Sequence, residues 1–231
     1  MTKREKMSLA AAAVLLVLSA FFGIIYGAVD LTPGRIVSDF MSDGLSKSEK
    51  IFLYVRLPRV LGTVLAGAAL AVSGAVIQAV LGNPIAAPNI IGVNAGAGLM
   101  TILCLALLPD KPALLPTAAF IGALAAVMLV YFIAKKAGAS KMALVLSGVA
   151  VASIMNAAAD TVTTFYPEVL TGFNAFKSGS VSGLTLSKLF PAWIYILAGI
   201  VLVIFTSHDL DVLSLGDKTA KSLGMNTSLM R

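Results

Sequence analysis

The chain has one cysteine, one histidine and one tryptophan in 231 residues, and Asp, Glu, Lys and Arg together supply only 12% of it. The lone cysteine, Cys104, excludes an internal disulfide, and the single histidine, His208, cannot complete a Cys/His metal cluster with it. No Walker-type phosphate loop and no nucleophile–histidine pairing is present. Nothing in the sequence therefore points to an enzyme, a metal site or a bound cofactor. Ordinary soluble domains carry roughly a quarter charged residues, so this chain has too little polar surface to be solvated on all sides. Its net charge of +6 comes from basic residues scattered at the ends of apolar runs. They form no single stripe, which argues against a nucleic-acid partner.

What the chain has in abundance is apolar length. It is 58% hydrophobic, with a mean hydropathy of +0.95. The apolar runs are continuous and near the ~20 residues that an α-helix needs to cross about 30 Å of hydrocarbon. Barrel strands would alternate over about ten residues instead. The expectation is an all-α, polytopic transmembrane helical bundle surrounded by lipid. Six spans can be drawn, at about 8–29, 58–81, 90–108, 113–134, 142–165 and 189–207. They make a membrane region, 1–208, followed by a polar and amphipathic tail, 209–231. The head "MTKREK" is read as the charged lead of an uncleaved first helix, and Pro58 as the first-turn proline of the second. Between them lies the longest hydrophilic stretch, "DLTPGRIVSDFMSDGLSKSEKIFLYVRLPR".

An even number of spans puts both termini on one side, together with "KKAGASK", Lys218 and Lys221. The opposite loops dilute their basic residues with Asp30, Asp39, Asp43, Glu49, Asp110 and Glu168. The positive-inside rule then gives cytoplasmic termini. Tyr26, Tyr54, Tyr166 and Trp193 fall near the outer helix ends, where interfacial aromatics belong. Small residues recur every fourth position at Gly67, Ala71, Ala75 and Ala79, at Gly92 and Gly96, and at Ala118, Gly122 and Ala126. Such stripes let membrane helices approach closely, so a packed bundle is expected.

Chemistry-bearing residues are few. Asp160 is the one carboxylate inside a span, and it continues the spacing Gly148, Ala152, Asn156, Asp160 along one helix face. An intramembrane acid must face protein or water, which makes Asn156 and Asp160 candidate pathway residues. Asp160 also lies close enough to the helix end to reach the interface. The uncharged stretch "GNPIAAPNIIGVNAGAG", Gly82 to Gly98, breaks the helix between two spans. Broken backbone at membrane depth has to be sheltered by protein or line a watery cavity, and in transporters such interruptions mark gates and binding sites.

The segment "RLPRVLGTVLAGAALAVSGAVIQAVLGNPIAAPNIIGVNAGAG", Arg56 to Gly98, closely resembles the signature of the FecCD-type permeases. These are membrane subunits of ABC importers for iron–siderophores, haem and cobalamin. "LSLGDKTAKSLGM", Leu213 to Met225, looks like that family's cytoplasmic coupling segment, and "LVLSGVAVA" fits its fifth helix. The resemblance implies a bacterial cytoplasmic-membrane protein that carries a metal-chelate ligand inward. Its partners would be a second permease subunit, identical or not, cytoplasmic ABC ATPase subunits and an extracytoplasmic substrate-binding protein. It further implies that Arg56 and Arg59 meet acidic residues of the binding protein, that Asn83 and Ile85 form part of the inner gate, and that Gly216, Asp217, Ala220, Leu223 and Gly224 seat in the ATPase.

Two segments depart from the family pattern: "NAFKSGSVSG", where a Trp and a bulky apolar run are usual, and "ASKM". The family fold has ten helices, and the chain is expected to lack the last four. Two other readings stay open on the residues alone. One is a nonfunctional or regulatory permease fragment. The other is an ion-coupled secondary transporter that uses Asp160.

Overall fold

The computed structural model describes residues 2–27, 47–138 and 140–227, without the side chains of Lys47, Ser48 and Asp217. Most of the long polar stretch and the expected end of the first helix lie outside these residues. So do 228–231, the end of the expected tail. Among the described residues there are helices and turns and no strand, in keeping with the all-α expectation. They sort into two compact units, Met1–Ala69 with Val181–Ile200 and Leu70–Ser180 with Val201–Arg231.

The first unit opens with α1, Lys3–Ile25. It begins earlier than hydropathy suggests because Thr2 and Glu5 form a capping box. The Thr2 hydroxyl accepts from the Glu5 N–H at 3.3 Å and the Glu5 carboxylate accepts from the Thr2 N–H at 2.9 Å. Two otherwise orphaned N–H groups are satisfied reciprocally, so the basic head becomes the first turn of the helix.

The second helix corrects the sequence reading at Pro58. Helix α2 is α-helical over Lys47–Ile51, π-helical over Phe52–Arg56 and α-helical over Leu57–Leu81. Across the wide turn the Leu57 N–H reaches back to the Phe52 carbonyl. Pro58, which has no N–H to give, follows directly and is fully buried. A π-turn loosens the backbone ladder where a proline would otherwise break it, so the helix runs on through residues that their polarity marked as loop. Further along α2, Gly62 is buried where the Leu184 side chain presses against it, with Leu189 beside it.

In the second unit, the C-terminal part of α2 leads through Gly82–Ala87 into a 3₁₀ turn, Pro88–Ile91, and then α3, Val93–Leu107. Helix α4 is Leu115–Lys136, α5 is Lys141–Phe165 and α6 is Leu170–Lys177. Prolines 88, 112 and 167 each open a short 3₁₀ turn, the position where a missing donor costs least. Helix α6 stands between the fifth and sixth expected spans and takes in the "NAFK" of the segment that departs from the family pattern. Its Phe173 packs into a core with Ile102, Ala159 and Val169. Helix α7, Leu186–Phe205, has residues in both units, and α8, Ser207–Ser214, and α9, Asp217–Ser222, follow it.

Among the described residues, five helical stretches are long and apolar enough to cross a membrane: Lys3–Ile25, Glu49–Leu81, Pro112–Lys136, Lys141–Phe165 and Leu186–Phe205. The third expected span, 90–108, is instead a shorter apolar helix of 15 residues, α3. At 1.5 Å per residue it covers about 22 Å, because Pro88 and the left-handed Gly92 delay its start. The chain is thus a multi-pass membrane protein.

The small-residue stripes divide. Gly96 and Gly122 meet backbone to backbone, each carbonyl lying where the other's Cβ would stand, and Ala126 is fully buried beside them. Close approach of α3 and α4 is what those stripes were expected to allow. On α2, by contrast, Gly67, Ala71 and Ala75 are exposed, and a Cβ at Gly67 would meet nothing within 4 Å. Ile77 and Leu81 are buried in their place. They sit two positions further on, about 200° around a helix of 3.6 residues per turn, so the bulky face of α2 packs and the small one does not.

Candidate functional site

The uncharged stretch between α2 and α3 folds as a compact, hydrogen-bonded turn. Gly82 takes a left-handed φ of 56°. Its N–H bonds the Ala79 carbonyl at 3.2 Å, and the Asn83 N–H bonds the Gln78 carbonyl at 3.1 Å. Those two bonds make a Schellman ending, which satisfies the last carbonyls of α2. Asn83 then builds the next turn. Its carbonyl accepts from the Ala86 N–H at 3.1 Å, and its side-chain oxygen accepts from the Ile85 N–H at 3.0 Å. Pro84 presets the backbone at the turn's second position. The outcome is that Ile85 projects outward, 86% exposed, while its neighbour Ala86 is buried.

This turn is held from below by α5. Ile77, Leu81 and Ala86 form a core with Ile90, Ile91, Leu144 and Val145. Gly148 allows the 3₁₀ turn to lie directly on α5, since a Cβ there would strike the Ile90 carbonyl. Ser140 caps α5 by accepting from the Ala143 N–H at 3.0 Å. The Lys141 ammonium lies against Gly82, at the C-terminal end of α2, where the helix dipole is negative. Two further amides close the structure. The Asn94 side-chain N–H donates to the Asn89 side-chain oxygen at 2.6 Å, and Gln78 reaches the Ala86 carbonyl at 3.5 Å. Gln78, Asn89 and Asn94 were not singled out in the sequence. For Asn89 and Asn94 the signal was a pair of amides flanking Gly92; Gln78 carried none.

Asn156 and Asp160 both lie on the exposed side of α5. The expected single face divides, because Gly148 is buried against the turn and Ala152 is half-buried. Asn156 and Asp160 share their side with Ser153, Thr161 and Thr164, all exposed. The hydroxyls of these three bond back to carbonyls one turn earlier, Val149, Ala157 and Asp160 respectively. One flank of a membrane-length helix is therefore polar without offering unsatisfied hydroxyl donors.

The two arginines of "RLPR" part company. Arg56 is 7% exposed, and its guanidinium donates to the carbonyls of Ile24, at 2.6 Å, and Ile25. These are among the orphan carbonyls at the C-terminal end of α1, so Arg56 caps that helix. Gly27 leaves the room, since a Cβ there would stand 2.9 Å from the guanidinium. Arg59 is exposed.

Near the C-terminal end of the described chain, α8 and α9 meet at Gly216, whose φ of 97° and ψ of 156° suit only glycine. Gly224, at φ 85°, closes α9 with a second Schellman ending. There the Gly224 N–H bonds Lys221 and the Met225 N–H bonds Ala220, both at 3.0 Å. Leu213 and Ala220 are fully buried, while Leu215 and Leu223 are 63% and 64% exposed. The side chain of Asp217 lies outside the described residues. No group of three or more His, Cys, Asp or Glu gathers to hold a metal among the described residues.

The chain is similar to known proteins along most of its length. Residues 15–231 match the model of the FecCD transport family. The chain is 33% identical over 233 residues to the Fe(3+)-citrate import system permease protein YfmE of Bacillus subtilis, covering 99% of this chain and 69% of that protein. It is 39% identical to the permease protein YfmD of the same bacterium, over 83% of this chain and 57% of that one. A probable heme-iron transport system permease protein IsdF of Staphylococcus aureus is 31% identical, over 99% and 68% respectively. Among solved structures, an inward-facing conformation of a metal-chelate type ABC transporter superposes with a TM-score of 0.83 at 25% identity, over 97% of this chain and 70% of that one. The chain belongs to the FecCD transport family.

Proposed function

We propose that this chain acts as a membrane permease subunit of an ATP-binding-cassette importer, passing an iron chelate such as a siderophore, Fe(3+)-citrate or haem inward across a bacterial cytoplasmic membrane. The observation that carries the reading is the sheltered turn Gly82–Ile91. It is broken backbone within a membrane protein, packed on α5 and presenting Ile85. In such a turn Asn83 fixes the backbone and Ile85 is the movable apolar plug of an inner gate. The exposed flank of α5, with Asn156 and Asp160, would line the path above it. The work of ATP hydrolysis belongs to a separate subunit, which meets Leu215, Gly216, Asp217, Leu223 and Gly224 on the cytoplasmic side, where both termini also lie, while the buried Ala220 supports that surface from within. Arg59, the exposed arginine of the pair, would meet an acidic binding protein outside. A second permease subunit, identical or related, completes the pathway.

The test is reconstitution of the chain with its ATPase and binding protein in proteoliposomes, followed by measurement of labelled Fe(3+)-citrate and haem uptake. ATP-dependent accumulation supports the proposal. ATPase co-purification with no vectorial uptake of any iron chelate would sink it in favour of a regulatory role.

A further inference from the structure

A groove of about 340 Å³ lies between the C-terminal end of α3 and the N-terminal end of α4, at the opposite end of α3 from the gate turn. Met100, Leu103, Cys104, Leu107, Leu114 and Ile121 line it, with Thr117 and Ala118 at the wall formed by α4. Three properties bear on its occupant. The lining is almost wholly apolar, and apolar cavities do not hold water. Of the two helices that form it, α4 lies in a stretch long and apolar enough to cross a membrane and α3 is a shorter apolar helix, so the groove opens beside a helix that can lie among lipid chains. At its rim, Leu108 and Leu114 are joined through Lys111, whose N–H bonds the Leu108 carbonyl at 3.1 Å and whose carbonyl accepts from Leu114 at 3.0 Å. The side chains of Lys111 and its neighbour Asp110 are both exposed.

We propose that this groove holds one acyl chain of a bilayer phospholipid, with the lipid phosphate on Lys111 and, in phosphatidylethanolamine, the ammonium beside Asp110. An apolar slot next to a rim cation is what a phospholipid requires of a specific seat, and a lysine at a helix end reaches naturally to headgroup level. A second apolar helix would fill the slot without any use for the two rim charges. The seat lies away from the gate and coupling residues, so it would serve to brace the C-terminal end of α3 against α4.

The experiment places the full chain in nanodiscs of phosphatidylethanolamine and phosphatidylglycerol doped with a phospholipid bearing a photoreactive diazirine in its acyl chain. Crosslinks are then mapped by digestion and mass spectrometry. Labelling over 100–108 and 117–121 should exceed that on the exposed α4 residues Leu124, Met128 and Phe132 by threefold or more. Ala118→Phe should remove the excess and leave the latter sites labelled as before. Even labelling across α4, or exclusion of label from the groove, overturns the proposal even if Ala118→Phe fails to fold. So does an excess that survives Ala118→Phe. Lys111→Gln, read by native mass spectrometry, should reduce co-purifying phospholipid at least twofold, and unchanged retention would refute the headgroup assignment.

Discussion

The carbonyl oxygen of Ile90 lies where the side chain of residue 148 would begin, so the gate turn and α5 touch backbone to backbone at Gly148. Gly92 returns the contact from the other side, its own missing Cβ lying 3.5 Å from the Gly148 carbonyl. The turn and α5 therefore pack with no side chain between them at this point.

Gly148→Ala therefore tests whether that contact matters. Overpacking of this kind costs about 1–3 kcal/mol, so the thermal midpoint of the purified protein should fall by several degrees. Uptake per inserted molecule should fall with it. Gly67→Ala is the control, because its new methyl would meet nothing within 4 Å. Equal behaviour of the two variants would show that the α5–turn contact has slack.

The arginines of "RLPR" should separate by readout. Arg56→Gln removes a charged donor from the carbonyls of Ile24 and Ile25, an interaction class worth about 1.5–3 kcal/mol. Stability should drop while affinity for the binding protein, measured on the folded fraction, holds. Arg59→Glu should leave stability within about 0.5 kcal/mol, as for most surface changes, and weaken binding-protein docking tenfold or more. A docking loss in Arg56→Gln larger than that in Arg59→Glu would reverse the assignment.

Helix identity was legible from hydropathy because continuous apolar runs leave no other way to satisfy the backbone in lipid. The ends were not. The start of α2 was hidden because a π-turn before Pro58 has no pattern in polarity, and α6 because "LTGFNAFK" is short and interrupted by glycine. Asn83 and Ile85 stand together in one turn, as the motif implied, since the spacing Gly-Asn-Pro-Ile itself encodes a helix ending followed by a turn. The burial of Arg56 was illegible, because which arginine faces a neighbouring helix depends on the phase that the π-turn introduces. The exposure of the α2 glycine stripe was hidden for a similar reason: spacing marks a face that can pack closely without saying what stands opposite it.

Gly216→Ala probes the coupling pair. No atom crowds the site, so the penalty is purely that of the backbone, about 1–3 kcal/mol for holding an L-residue in a conformation suited to glycine. The angle between α8 and α9 should change to relieve it. The expected result is normal membrane insertion with ATPase association weakened at least fivefold. Gly179→Ala, strained at φ 66° but far along the chain from this pair, should leave ATPase association intact. Loss of association in both would mean general destabilisation rather than a coupling role.

Asp160 offers the sharpest choice between a pathway residue and an interfacial one. It is exposed on α5, and its backbone carbonyl is already committed to the hydroxyls of Thr163, at 2.7 Å, and Thr164, at 2.9 Å. Its side chain is exposed on the same flank of α5 as Asn156 and Ser153. Asp160→Asn keeps the shape and removes the charge. If the polar flank lines the route of an iron chelate, the variant should fold normally, keep its ATPase and binding protein, and change uptake by fivefold or more, with a shifted preference between anionic and neutral chelates. An interfacial acid would give unaltered uptake of every chelate. Uptake that persists without the ATPase and fails in Asp160→Asn would instead point to ion-coupled transport, because then the carboxylate rather than nucleotide hydrolysis would be driving the cycle.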